Sequence, residues 1–178
     1  HDYVKGGRGW RDLWQDCLAL IIMDPSDVRG MLVDNFGGVR CDGTNATIIG
    51  SKSGEFIADR NGITRVWMDH AMWPFMTMDL YIKQTGDLKI LDETAPYFID
   101  RQVMRGEELL DKDTDLSCVS CSGTVMEHLL LQNFASFFDV GEHGHMKLRG
   151  ADWNDALDMG KDKGESVAFT AAYAGNNR

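Results

Sequence analysis

The chain has 178 residues, of which 43% are hydrophobic and 26% are charged, and its formal net charge is −10. This composition is typical of a globular domain with its own hydrophobic core. Nucleic acids and anionic membrane surfaces bind clusters of Lys and Arg, which the sequence lacks, so we expect neither as a partner. No apolar run approaches the ~20 residues that span a bilayer.

The hydrophobic spacing predicts helices separated by irregular loops. Apolar residues recur at helical intervals in five segments, which are 12–23, 26–36, 65–85, 123–138 and 165–174. Pro74 should kink the third helix. Two more short helices are expected within 88–105, and a short hairpin of 46–49 with 55–58 is compatible with the long loop before the third helix. The fold class that follows is all-α.

Polar side chains gather at the start of the first helix. Four of them lie within six residues: Arg11, Asp12, Gln15 and Asp16. Offsets of three and four place such residues on one face of a helix. They can bind adjacent sugar hydroxyls, with Trp10 or Trp14 against the apolar face of a pyranose. A surface salt-bridge and N-cap cluster is the alternative interpretation.

A second group of polar residues lies nearer the end of the sequence. Its members follow one another as Asp152, Trp153, Asn154 and Asp155. Crowded carboxylates raise the proton affinity of at least one of them. An acid that stays protonated near neutral pH can protonate a leaving oxygen. The alternative is an Asx-rich turn in which Asp152 caps the next helix and Trp153 packs beneath it.

Asp69 and His70 interrupt the otherwise apolar third helix. The default expectation for polar residues in such a position is a hydrogen-bonded place in the core. The alternative is that the acid lines a pocket.

The four cysteines could serve a metal site, disulfides or free thiols. Cys118 and Cys121 form a C-x-x-C pair, and His143 and His145 follow, so a zinc site is an alternative. A second such pair is missing, and Cys17 lies in an apolar helical run where a thiol is a small core residue. We therefore expect reduced thiols, a cytoplasmic protein, and no metal or other cofactor.

Several motifs resemble those of one enzyme family. Residues 7–16 resemble the G-x-R-D-x-x-Q-D segment of glycoside hydrolase family 94, the inverting disaccharide and oligosaccharide phosphorylases. Residues 141–155 resemble the family's G-D-W-N-D segment, and residues 163–167 resemble its K-G-E-S-V segment. Three stretches are most similar to the 1,2-β-oligoglucan phosphorylases of that family: 67–74, 156–159 and 165–170.

The resemblance implies roles for individual residues. Asp155 would be the catalytic general acid, and Trp153 would contact the sugar beside it. Arg11 and Asp12 would bind hydroxyls of the transferred glucosyl ring. The expected substrate-binding residues are Lys5, Arg11, Asp12, Gln15, Asp16 and Trp153. Lys5 stands where the family usually has a basic residue.

The resemblance also implies a fold and a reaction. The fold would be an (α/α)6 barrel with long active-site loops, of which residues 1–178 would form roughly half, with the flanking regions of the catalytic domain absent. The substrates would be a β-linked gluco-oligosaccharide and inorganic phosphate, which is a co-substrate and not a cofactor. Arg11, Lys147 and Arg149 are the candidate cations for phosphate. A homodimer is a compatible assembly.

Other functions are compatible with the same residues. A cellobiose- or chitobiose-type phosphorylase differs only in its sugar. A hydrolase of the same barrel would need a second carboxylate as base, for which Asp12, Asp16 or Glu165 are the candidates. A non-catalytic all-α carbohydrate-binding domain would keep the aromatic residues without the chemistry. We expect the 178-residue chain in isolation to be inactive.

Overall fold

The computed structural model describes residues 9–58, 66–101, 120–149, 160 and 162–178. This part of the chain is mostly helical, in agreement with the all-α prediction. Its α-helices are α1 (Trp10–Met23), α2 (Arg29–Asn35), α3 (Met72–Thr85), α4 (Val125–Phe137) and α5 (Val167–Asn176). Short 3₁₀ helices cover Pro25–Asp27, Phe36–Gly38 and Leu88–Asp92. Each of the five predicted segments overlaps one of these α-helices, and the barrel stays a prediction.

The larger core is built on the apolar stripe of α1. Its members, which recur every three or four residues and are at most 1% exposed, are Trp10, Trp14, Cys17 and Ile21. The ring of Trp14 lies 4.9 Å from the ring of Phe36, measured between centroids. Each fully buried large apolar side chain stabilises the fold by about 1.5–3 kcal/mol. The stripe therefore fixes which face of α1 points outwards.

The third helix begins later than the sequence predicts. Residues 66–71 are not helical, and α3 starts at Met72. Pro74 is consequently in the first helical turn, where a backbone N–H has no intrahelical partner. It breaks no helical hydrogen bond, so the predicted kink is wrong. The helix ends at Gly86, whose φ of 73° is in the left-handed region that favours glycine.

In the described ranges, three two-stranded antiparallel ladders accompany the helices. Their strands pair as β1 (Ile48–Ile49) with β2 (Phe56–Ala58), β3 (Thr94–Pro96) with β4 (Ser122–Thr124), and β5 (Met146–Lys147) with β6 (Glu165–Ser166). The first ladder confirms the predicted hairpin. Residues 97–101 are not helical, so the second short helix predicted within 88–105 is wrong as far as Arg101. The backbone N–H groups of Tyr97 and Phe98 instead donate to the carbonyl oxygens of Cys121 and Val39, so this stretch pairs with distant segments of the chain.

A smaller core ties α5 to the segment before α3. Its buried members are Met68, Ala71, Met146 and Tyr173. The hydroxyl of Tyr173 donates a hydrogen bond to the carbonyl oxygen of Met68 at 2.5 Å. Ser166 caps α5, because its side chain accepts a hydrogen bond from the backbone N–H of Phe169. The segment 66–71 is thus held beside β5 and α5.

Among the described residues, no helix has the length and apolar composition that crossing a membrane requires. Within the same ranges, no three His, Cys, Asp or Glu side chains are grouped so that they could hold a metal ion. Cys17, Cys41 and Cys121 form no disulfide within the described residues, and Cys118 lies outside them.

Candidate functional site

Arg11 and Asp69 form an ion pair at the N-terminal end of α1. The Nε of Arg11 donates to Oδ2 of Asp69 at 2.5 Å. The indole Nε1 of Trp73 donates to the same oxygen at 3.0 Å. The side chain of Asp69 is 3% exposed and that of Arg11 is 24% exposed. A carboxylate in the core therefore holds a guanidinium that reaches the surface.

The protonation of Asp69 follows from these partners. Burial would raise the pKa of Asp69, but the hydrogen bond from Arg11, the charges of His70 and Arg11, and the hydrogen bond from Trp73 lower it overall. Two buried atoms of the ion pair, Arg11 Nη2 and Asp69 Oδ1, have no hydrogen-bond partner among the described residues. The pair thus retains one donor and one acceptor.

Trp67 provides an aromatic surface next to the ion pair. The guanidinium carbon of Arg11 lies 5.7 Å from the centroid of the Trp67 ring. On the other side, Trp67 stacks on His70 with a centroid distance of 5.4 Å and an interplanar angle of 10°. His70 is fixed in turn, because its Nδ1 lies 3.2 Å from Nδ2 of Asn45 and its carbonyl oxygen accepts from Nε1 of Trp10.

Neither Trp10 nor Trp14 can lie against a sugar, so that prediction is wrong. Trp10 and Trp14 are at most 1% exposed, because both belong to the core-facing stripe of α1. Trp67 is partly exposed and lies beside Arg11, so it is the aromatic residue available there. The sequence could have pointed to Trp67, because this residue lies two positions before Asp69.

The remaining polar residues of the first motif lie towards solvent. Asp12 and Asp16 are exposed, and their spacing of four puts them on one face of α1. Gln15 is half-buried. The structure therefore places Arg11 in a built cluster with Asp69 and Trp67, and leaves the two carboxylates on the adjacent surface. Lys5 lies outside the described residues.

The acidic motif itself, with Asp152, Trp153 and Asp155, also lies outside the described residues. The chain on either side of it is described. The backbone N–H of Leu148 donates to the carbonyl oxygen of Gly164 at 2.9 Å, directly beyond the β5–β6 ladder. The two flanks of the motif are thus hydrogen-bonded to each other.

Arg149 anchors the flank that leads into the acidic motif. Its Nε and Nη2 each donate to Asp139 at 2.7 Å, one to each carboxylate oxygen. Its φ of 53° is unusual for a residue with a side chain. Nζ of Lys147 lies 4.0 Å from the same carboxylate. The three candidate cations for phosphate, Arg11, Lys147 and Arg149, are therefore each beside a carboxylate.

Glu165 anchors the other flank by binding the turn at 141–145. Its carboxylate accepts from the backbone N–H groups of His143 at 3.0 Å and His145 at 2.9 Å. Nδ1 of His143 lies 3.1 Å from the same carboxylate. The hydrogen bond from the His143 backbone is the largest cause that lowers the pKa of Glu165 from 4.5 to about 2. Glu165 is thus a weak base.

The low pKa of Glu165 predicts a pH-dependent contribution to stability. The folded-state pKa is below the ordinary value of 4.5, so the contribution is complete above pH 4.5 and is lost as the pH falls towards 2. Thermal unfolding of the wild type and the Glu165→Gln variant should differ most above pH 5 and converge in acid. Glu142→Gln, on an exposed neighbour, is the control. A difference that grows on acidification would contradict the assignment.

Comparison with known proteins gives three informative relatives. N,N'-diacetylchitobiose phosphorylase of Vibrio furnissii is 27% identical over 189 aligned positions, which cover 96% of this chain and 21% of that protein. Solabiose phosphorylase of Paenibacillus borealis is 35% identical over 104 positions, which cover 57% of this chain and 11% of that protein. The cyclic beta-(1,2)-glucan synthase NdvB of Rhizobium meliloti (strain 1021) is 23% identical over 167 positions, covering 93% of this chain and 6% of that protein.

The chain therefore spans only 21% or less of the length of these relatives. A family match accounts for almost all of it. Residues 3–177 match the model of the Glycosyl hydrolase 94 superfamily, catalytic domain. The ranges that carry the Arg11 cluster and the two anchored flanks lie inside this match. The chain belongs to the Glycosyl hydrolase 94 superfamily.

Proposed function

We propose that the protein containing this chain catalyses the inverting phosphorolysis of a β-glucosidic linkage, with β-1,2-oligoglucan as its substrate and α-glucose 1-phosphate as a product. The observation that carries the proposal is the family match over residues 3–177, together with relatives that are disaccharide phosphorylases. The enzyme is accordingly a glycosyltransferase-type glycoside phosphorylase.

The proposed chemistry needs one side-chain acid. Asp155 donates its proton to the glycosidic oxygen while the bond from that oxygen to the anomeric carbon breaks. Inorganic phosphate forms the new bond to that carbon from the opposite face, which inverts the configuration. Phosphate is itself a nucleophile, so no second carboxylate is required, in contrast to an inverting hydrolase. Trp153 contacts the sugar beside the acid.

The first motif supplies the proposed sugar contacts. Arg11 and Asp12 bind hydroxyls of the transferred ring, and Gln15 and Asp16 extend this polar face along α1. The partly exposed ring of Trp67 beside Arg11 supports the proposal, because an indole is a suitable platform for the apolar face of a pyranose.

The geometry weakens the hydrolase alternative. A base that activates water works best with a pKa near the operating pH. The pKa of Glu165 is about 2, and its carboxylate is occupied by the 141–145 turn. Glu165 is thus unsuited to the role, which leaves Asp12 and Asp16 as the candidate bases for that alternative.

The relatives favour different sugars for the substrate. The name of NdvB includes a β-(1,2)-glucan, which supports the proposed linkage. N,N'-diacetylchitobiose phosphorylase covers 96% of this chain, which favours a chitobiose-type phosphorylase as the second candidate. Cellobiose is the third candidate substrate.

The test is an incubation of the full-length protein with β-1,2-gluco-oligosaccharides, N,N'-diacetylchitobiose or cellobiose, with and without inorganic phosphate. We expect a sugar 1-phosphate only with phosphate, and the fastest release from β-1,2-gluco-oligosaccharides. Faster release from another sugar would reassign the substrate. Phosphate-independent release of free sugar would identify a hydrolase, and saccharide binding without any product would identify a binding domain.

The isolated 178-residue chain should give no product in the same assay. It spans only 21% of the Vibrio furnissii relative, and Arg11, Lys147 and Arg149 each lie beside a carboxylate. We therefore propose that the phosphate-binding residues lie elsewhere in the protein. Phosphate-dependent release of glucose 1-phosphate by the isolated chain would contradict this.

A further inference from the structure

Asp69 has no role in the proposed chemistry, although it is a buried carboxylate in direct contact with the first motif. We propose that Asp69 is a positioning residue for Arg11, and that the ion pair acts as one neutral unit through which Arg11 binds a sugar hydroxyl and not phosphate. This inference rests on the proposed function, because it assigns a ligand to the same site.

The position of the Arg11 guanidinium is fixed from three directions. Asp69 holds its Nε, and the ring of Trp67 lies 5.7 Å from its central carbon. The start of α1 is tied to the same segment, because Trp10 Nε1 donates to the carbonyl oxygen of His70 at 3.0 Å. Asp69 is fixed in turn by the hydrogen bond from Trp73. Residues 66–73 thus act as a frame for one guanidinium.

The electrostatics of the pair favour a neutral ligand. The net effect of the partners of Asp69 is to lower its pKa, so it is ionised at neutral pH and cancels the charge of Arg11. An inorganic phosphate ion near the pair would be attracted by Arg11 and repelled by Asp69 from a similar distance. A sugar hydroxyl has no charge and does not experience this repulsion.

The hydrogen-bonding capacity of the pair also fits a hydroxyl. Arg11 Nη2 and Asp69 Oδ1 are buried, but 24% of the Arg11 side chain is exposed, and its guanidinium lies beside the Trp67 ring. A sugar hydroxyl can accept a hydrogen bond from a guanidinium N–H without bringing a charge to the pair. The neighbouring Trp67 ring can pack against the carbon-bound hydrogens of the same sugar.

The experiment compares variants of the full-length protein by two measurements. The first is the Kd of a β-1,2-gluco-oligosaccharide in the absence of phosphate, measured by isothermal titration calorimetry. The second is the KM for phosphate. For Asp69→Asn we expect the saccharide Kd to increase by about 10- to 100-fold, which is the loss typical of a hydrogen bond that involves charged groups. The KM for phosphate should not increase, because Asp69→Asn removes a negative charge beside Arg11 and phosphate is itself an anion.

Trp73→Phe is the matched control, because it removes the other hydrogen bond to Oδ2 of Asp69 and leaves the ion pair in place. Because Trp73 helps to fix Asp69, we expect its saccharide Kd to increase by much less than that of Asp69→Asn. Equal losses of affinity in Asp69→Asn and Trp73→Phe would show that Asp69 only supports the fold. An increase in the KM for phosphate that matches the increase in the saccharide Kd would assign the pair to phosphate, and either result would overturn the proposal.

Arg11→Lys is a second variant for the case in which Asp69→Asn does not fold. Lysine keeps the charge but lacks the fork of guanidinium N–H groups, so the saccharide Kd should again increase while the KM for phosphate does not.

The same measurements also separate this proposal from the proposed function. If the wild type binds the saccharide without phosphorolysis, and these variants bind it more weakly, the proposed phosphorylase function is refuted and the role of the ion pair is supported. If the wild type does not bind the saccharide, the proposed role of the Arg11–Asp69 ion pair is refuted.

Discussion

Replacing Asp155 by Asn in the full-length protein is expected to lower kcat for phosphorolysis by about 10²- to 10⁴-fold, the range that general acid catalysis contributes. Asparagine is close in shape to aspartate but has no carboxyl proton to transfer. The saccharide Kd should change little, because the acid acts mainly in the transition state. Steady-state kinetics with a β-1,2-gluco-oligosaccharide and phosphate measure the effect.

Two comparisons make this result specific to proton donation. Asp158→Asn removes another carboxylate of the same stretch and should leave kcat within a few-fold of the wild type. An aryl β-glucoside with an acidic phenol as leaving group needs little protonation, so Asp155→Asn should lose much less activity with it. Equal losses with both substrates, or substantial turnover of the oligosaccharide by Asp155→Asn, would refute the role of Asp155.

A second large effect is expected from the substitution Gly38→Ala. A Cβ at this position would lie 2.5 Å from ring atoms of both Trp10 and Phe56, so two aromatic rings would have to move. Overpacking of this kind destabilises by about 3 kcal/mol, at the upper end of the usual range. Because Trp10 precedes Arg11, the saccharide Kd should increase as well. Chemical denaturation and calorimetry of the full-length variant check both effects.

Gly30→Ala is the control for this prediction. No atom lies within 4 Å of the added Cβ, and Gly30 is exposed in α2. Alanine is the better helix former, so the variant should gain about 0.5 kcal/mol. A Gly38→Ala variant as stable as Gly30→Ala would mean that Trp10 and Phe56 do not pack against Gly38 as described.

The helices could be predicted because their signals are local. The stripe from Trp10 to Ile21 repeats at helical spacing within one segment, and Ser166 precedes α5 as an N-cap residue. The start of α3 could not be predicted in the same way. The apolar residues before Met72 belong to a second core, to which Met68 and Ala71 contribute. In the sequence, the spacing of these residues resembles that of a helix.

The candidate site was harder to predict because its partners are distant in sequence. Asp69 lies 58 residues from Arg11, and no spacing rule connects them. The expectation that Asp69 is a hydrogen-bonded core residue is confirmed, but its partner emerges only when α1 packs against the segment before α3. The same packing buries Trp10 and Trp14 and leaves Trp67 beside the charge.

The central claim is that phosphate, and not water, displaces the leaving sugar with inversion. The most direct measurement is proton NMR of the first product formed by the full-length protein from a β-1,2-gluco-oligosaccharide and phosphate. The account predicts the anomeric signal of α-glucose 1-phosphate from the earliest time points. The β-anomer of the phosphate, or glucose released without phosphate, would contradict it.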